Sequence, residues 1–189
     1  MHKYGAAVFT FALTCALAAC GGRDALVSGT GAGFAPSLGL HAPALLPKNT
    51  IGEELPGEGV GTKTDPTWGL VGGFTQTSKA QVLAFPPGSK ITIRNLSRSI
   101  PHTLNVVVAG AKPPAKFPSN PTLSFAPKGN GKLALGYASG QINPGSTVSV
   151  TLSKAGTYLI GCAFHYSEGM RDVIRVVAGA TPGPSTISF

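Results

Sequence analysis

Charge is scarce in this chain: Asp, Glu, Lys and Arg make up 12% of its 189 residues, and beyond residue 65 the only acids are Glu168 and Asp172. With 42% hydrophobic residues, so little charge argues against a wholly disordered polymer. No apolar run of 18 or more residues follows the first twenty positions, which excludes a bundle of membrane-spanning helices. Sulfur and imidazole are also rare, with three Cys, two Met and four His. The length allows one ordinary domain plus tails.

What charge there is lies unevenly. Residues 21–65 carry three basic and five acidic groups, whereas residues 66–178 carry seven Lys and four Arg against two acids, a net of +9. The lysines are spread among Pro and Gly, with no arginine-rich run and no stacking-aromatic motif, so nucleic acid is not an expected partner.

The chain opens Met-His-Lys and continues uncharged and apolar from Tyr4 to Ala19, the layout of an export signal over residues 1–19. The stretch closes on Leu17-Ala18-Ala19-Cys20, which resembles the bacterial lipoprotein signal box and makes Cys20 the expected lipidated residue of an extracytoplasmic, membrane-anchored protein. Residues 20–65 read as a flexible tether. Ten Gly and four Pro fall within 21–65, and no apolar period of 2 or 3.6 is sustained there.

From Trp68 onward short β-prone runs alternate with turn residues. Lys79–Phe85, Lys90–Asn95, His102–Val108, Leu133–Ala138, Thr147–Leu152, Thr157–Gly161 and Asp172–Val177 are the expected strands, and no amphipathic helix competes. Such spacing predicts an all-β Greek-key sandwich of seven to eight strands over residues 66–178, followed by a loose tail, 179–189. Between Ala109 and Lys132 runs a Pro- and Lys-rich excursion, too long for an ordinary sandwich loop and therefore either a functional overhang or disorder. Tyr158 is expected to be a packing and hydrogen-bonding corner, and Trp68 to sit in the core or at its edge.

Within 66–178 the soft or borderline metal ligands are His102, Cys162, His165 and Met170, the last three arranged C-x2-H-x4-M. A free thiol in an exported protein is exposed to oxidation, and with Cys15 in the leader and Cys20 lipidated, Cys162 has no disulfide partner. One copper ion accounts for all four residue types: a thiolate and two imidazoles in a trigonal set with a weak axial thioether is the blue-copper arrangement. Zinc more often recruits a further Cys or His or keeps a water, and a Cu(I) chaperone gathers several Cys or Met.

The segment Gly156 to Met170, with its G-x-Y-x3-C lead-in, resembles the copper loop of plastocyanin-like cupredoxins. Asn95 with Pro101-His102-Thr103 resembles the stretch around that family's first copper histidine, and Asn143-Pro144-Gly145 resembles its turn before the last strands. The resemblance spans about residues 79–178 and implies His102, Cys162 and His165 as equatorial ligands of one mononuclear copper and Met170 as the axial one. Three positions depart from it. Position 103 is Thr where many members place an Asn that ties the ligand loops together. Position 161 is Gly where plant plastocyanins carry an aromatic residue at a remote electron exit. The Lys-rich excursion stands in place of their acidic surface.

The expected function is that of a membrane-tethered, monomeric electron carrier and not an enzyme, exchanging electrons with redox proteins such as a c-type cytochrome or a terminal-oxidase subunit. The alternative is a copper carrier or sensor without an electron-transfer role. Four His cannot furnish a multicopper oxidase or nitrite reductase, and one Cys in the domain excludes a binuclear copper centre.

Overall fold

The computed structural model describes residues 46–185 apart from Ser78. The expected leader, Cys20 and the tether up to residue 45 lie outside these residues, as do 186–189. The described residues hold no helix and thirteen short strands. They are β1 (Thr50–Glu53), β2 (Thr62–Asp65), β3 (Gly69–Gly72), β4 (Phe74–Thr75), β5 (Leu83–Phe85), β6 (Lys90–Asn95), β7 (Asn105–Gly110), β8 (Pro127–Lys128), β9 (Ala138–Ser139), β10 (Thr147–Thr151), β11 (Gly156–Gly161), β12 (Arg171–Val176) and β13 (Gly183–Pro184).

Two sheets form the expected all-β sandwich. One has the order β10-β6-β1-β4; the other runs β13-β5-β12-β11-β7-β9-β8, with the β2–β3 hairpin attached to β12. The alternation that predicts β6 is visible in its burial, with Ile91, Ile93 and Asn95 inside and Lys90 and Arg94 outside. Between the sheets, Ile51, Ile91, Ile93 and Val150 meet Phe85, Val106, Tyr158, Ile160 and Ile174 in the main core, which also takes in Cys162 and Met170. Each such side chain contributes about 1.5–3 kcal/mol on burial. Tyr158 is the expected corner residue, its hydroxyl donating to the Lys154 carbonyl at 2.7 Å.

A second, smaller cluster covers the outer face of the larger sheet. Leu159 and Val173 pack there with Trp68, Val71 and Val82, and Val107, Val108 and Phe117 lie against them. Two consecutive valines reach the same cluster because β7 is bulged: Leu159 pairs with Val108 but Ile160 with Val106, leaving Val107 as the extra residue. Phe117 belongs to the long excursion, which is an ordered overhang. The Tyr166 hydroxyl donates to the Pro118 carbonyl at 2.9 Å, and the Ser124 N–H donates to Asn105 Oδ1 at 2.8 Å.

The domain begins earlier than the composition predicts. Residues 50–65 are not tether: β1 is buried throughout and pairs in parallel with β6, Ile51 opposite Ile93, while β2 pairs with β3 through a turn in which Asp65 Oδ1 accepts the N–H groups of Thr67 and Trp68. A four-residue strand with one aliphatic side chain and a Glu leaves no readable period. The tail is likewise shorter than expected, since β13 pairs with Leu83 and Ala84 of β5. The expected run Leu133–Ala138 reduces to Ala138–Ser139, because Gly136, at φ 81°, turns the chain before it. The strand count rises from seven or eight to thirteen through pieces of two to four residues that periodicity does not resolve.

Candidate metal centre

His102 precedes β7 and is placed by backbone and amide contacts together. It exchanges two hydrogen bonds with Ile142, at 3.1 and 2.8 Å. Asn95, buried at the end of β6, donates to the carbonyls of Ile100 and Ile142 at 2.8 and 2.9 Å and accepts from the Ser97 N–H. The buried amide thereby clamps the loop that delivers the histidine, and hydrogen-bonding it fully is what makes its burial tolerable.

Cys162 follows directly on β11, and the chain then doubles back. The N–H of Met170 donates to the His165 carbonyl at 3.1 Å, and the N–H of Cys162 donates to the Met170 carbonyl at 3.0 Å, closing a tight loop that holds His165 near its tip. Gly161 permits this closure. A Cβ at position 161 would lie 2.7 Å from Cε2 of Tyr166, whose ring covers the glycine. The Arg171 guanidinium in turn stacks on Tyr166 and Phe117, 5.7 and 5.3 Å from their ring centroids. The aromatic group beside the cysteine therefore comes from the loop and not from residue 161.

Three donor atoms converge. His102 Nδ1 and His165 Nδ1 are 3.2 Å apart, and Cys162 Sγ lies 3.9 Å from the first and 3.6 Å from the second. A point equidistant from all three lies about 2.1 Å from each, within the usual ~2.0–2.1 Å for a metal–imidazole bond and slightly short of the ~2.3 Å typical of a thiolate. A hydrogen bond between the imidazoles would explain one of these distances; a single ion accounts for all three. The residues therefore fit one mononuclear copper. His102 is fully buried and His165 half-buried, so the site meets solvent on the His165 side.

Burial sets the protonation of the donors. His102 is drawn down to about 4 by desolvation, helped by the neighbouring His165, and so presents a neutral imidazole at pH 7. Burial pushes the Cys162 thiol up, against the pull of hydrogen bonds from the Thr103, Phe164 and His165 backbone, so a metal must displace a proton to bind there. Met170 is fully buried in the same core as Cys162, and Gly73, at φ 77°, brings backbone so near that a Cβ would lie 2.5 Å from Met170 Cγ.

Thr103 ties together the two loops that carry His102 and Cys162. Its Oγ1 accepts the Ala163 N–H at 2.8 Å, and its own N–H donates to Cys162 Sγ at 3.4 Å. Phe164 tilts over His165 with centroids 5.9 Å apart, and Phe125 from the overhang meets Phe164 edge-on at 4.8 Å, itself 56% exposed. Asn105, Phe125 and the buried Glu53 carry no sequence signal of nearness to the site, since each depends on contacts across long chain separations.

No family model and no curated protein matches the sequence. Among solved structures, the chain is similar to a purple cupredoxin from Nitrosopumilus maritimus, with 18% identity, 68% of this chain and 98% of that one covered, and a TM-score of 0.36. An auracyanin from Roseiflexus castenholzii gives 25% identity, 52% and 85% coverage and a TM-score of 0.32. A copper nitrite reductase from Nitrosomonas europaea gives 14% identity, 77% and 55% coverage and a TM-score of 0.35.

Proposed function

We propose that this cupredoxin-like β-sandwich holds one copper ion between His102, Cys162 and His165, with Met170 on the axis, and works as a blue-copper electron carrier. The observation that carries the reading is the triangle of His102 Nδ1, His165 Nδ1 and Cys162 Sγ, with a common point about 2.1 Å from each atom. A copper ion bound there would take up and give up one electron, cycling between Cu(II) and Cu(I). The chain contributes rigidity. His102 is fixed by Ile142 and the Asn95 clamp, and the loop from Cys162 to Met170 is closed by its own backbone bonds, so the ligands have little room to rearrange between oxidation states. Electron exchange would use the half-buried edge of His165, beside Phe164 and Phe125.

The finer reading is that of an extracytoplasmic protein held to a membrane by a lipid on Cys20, exchanging electrons with an acidic redox protein such as a c-type cytochrome or a terminal-oxidase subunit. The leader sequence supports the first part. The exposed Lys112, Lys116, Lys128 and Lys132, in an overhang without acids, support the second.

Titrating the metal-free protein with Cu(II) tests the assignment. One equivalent should bind and produce an intense visible thiolate-to-copper band, lost in Cys162→Ser. Full occupancy without colour would overturn it, and a coloured complex that no mild reductant can cycle would leave a copper carrier without electron transfer.

A further inference from the structure

Thr103 Oγ1 has three neighbours: the Ala163 N–H at 2.8 Å, the Asn105 Nδ2–H at 2.9 Å and Cys162 Sγ at 3.8 Å. The first two are donors. Together they fill both lone pairs of the hydroxyl, which leaves its proton only the sulfur to point at. The orientation of the Asn105 amide is itself determined, because its Oδ1 accepts the Ser124 N–H at 2.8 Å and so turns Nδ2 toward Thr103. Thr103 and Asn105 are both buried, so water does not compete for these groups.

We propose that Ser124 and Asn105 hold the Thr103 hydroxyl proton on Cys162 Sγ, giving the sulfur a second hydrogen bond beside the Thr103 N–H and linking the overhang to the copper ligand. The inference rests on the blue-copper reading. Asn105 and Ser124 are positioning residues: Asn105 orients the Thr103 hydroxyl, and Ser124 orients the Asn105 amide. Hydrogen bonds to a copper-bound thiolate draw charge from the sulfur and raise the reduction potential, so loosening any link of the relay lowers it. A partner that moves the overhang would shift the potential without touching a ligand.

The test uses the full-length, copper-loaded chain. Thr103→Ser keeps the hydroxyl and should keep the potential. Thr103→Val removes it and should move the Cu(II)/Cu(I) ratio at a fixed applied potential about tenfold toward Cu(II), or 59 mV for one electron. Ser124→Pro deletes one N–H on the half-buried overhang, so it remains informative should the valine variant fail to fold. It should shift the ratio in the same direction by a smaller factor, with a change in the energy of the charge-transfer band. In the metal-free protein, amide exchange at Ala163 should quicken in Thr103→Val and not in Thr103→Ser. An unchanged potential and band in both Thr103→Val and Ser124→Pro would overturn the relay. A colourless wild type would instead overturn the copper assignment on which it rests.

Discussion

The ring of Tyr166 lies where a side chain at Gly161 would be, and its hydroxyl reaches the overhang at the Pro118 carbonyl. A ligand-loop residue thus fastens the excursion to the outer face of the sheet, with Arg171 stacked over Tyr166 and Phe117. Gly161→Ala must displace that ring. We expect a loss of about 1–3 kcal/mol in denaturant unfolding, the usual range for overpacking. Unchanged stability would mean that the ring moves aside freely.

Glu53 is a carboxyl fully enclosed in the sandwich, with no hydrogen-bond partner to either oxygen among the described residues, and desolvation pushes it up to about 8. The folded state therefore holds a proton that the unfolded chain releases near 4.5, and stability falls as pH rises from about 4.5 to about 8. Glu53→Gln keeps the shape and cannot ionise. Its stability advantage over wild type should grow by about 1.4 kcal/mol per pH unit across that window and level off above it. Urea titrations of the metal-free protein at pH 5, 6.5 and 8 measure this, and a constant difference would contradict it.

Phe125 is the outermost ring of the Phe125–Phe164–His165 stack. Truncation to Ala should cost less than about 1.5 kcal/mol and leave the visible spectrum intact. Electron self-exchange at high salt, where lysine repulsion is screened, should nonetheless slow several-fold as the apolar contact is lost. An unaltered rate would place the encounter surface elsewhere.

Met170→Leu conserves volume in a fully buried position, so the fold should lose less than about 1.5 kcal/mol. With three ligands retained the colour should persist, while the potential rises because the thioether no longer favours Cu(II). Voltammetry giving an equal or lower potential would remove Met170 from the axis.

Transfer to an acidic redox partner should slow several-fold between about 0.05 and 0.5 M salt, as the screening length falls from above 10 Å to below about 5 Å. Replacing Lys112, Lys116, Lys128 and Lys132 together by Gln should flatten that dependence. Stopped-flow rates indifferent to both changes would reduce the lysines to solubilising charge.

The convergence of His102, Cys162 and His165 was legible because these residue types are so rare here. His102 is distant in sequence from Cys162, but the scarcity of His, Cys and Met left few other candidates. The longer strands, such as Lys90–Asn95, were legible for a related reason: six residues suffice to display an alternation. β1 was not. Its burial depends on parallel pairing with β6 some forty residues later, and Glu53 inside a core contradicts every expectation from polarity. Position 103 was legible as the place of a tie between the loops, but the link from its hydroxyl to the sulfur was not, since that needs Asn105 and the overhang assembled around it.

The bulge at Val107 makes the site sensitive to counting. In a strand, successive residues face opposite ways, so one extra residue inverts the parity of everything before it. With Val107 present, Leu104 and Val106 point into the main core while Val108 points outward. Deleting Val107 would remove the two-against-one pairing and leave Val106 inward opposite Ile160 and Val108 outward opposite Leu159, a plain alternation in which Leu104 and Thr103 keep their places. A residue inserted beside Val107 should thus be more damaging than deletion of Val107, because the insertion and not the deletion would turn Val106, Leu104 and the approach to His102 over.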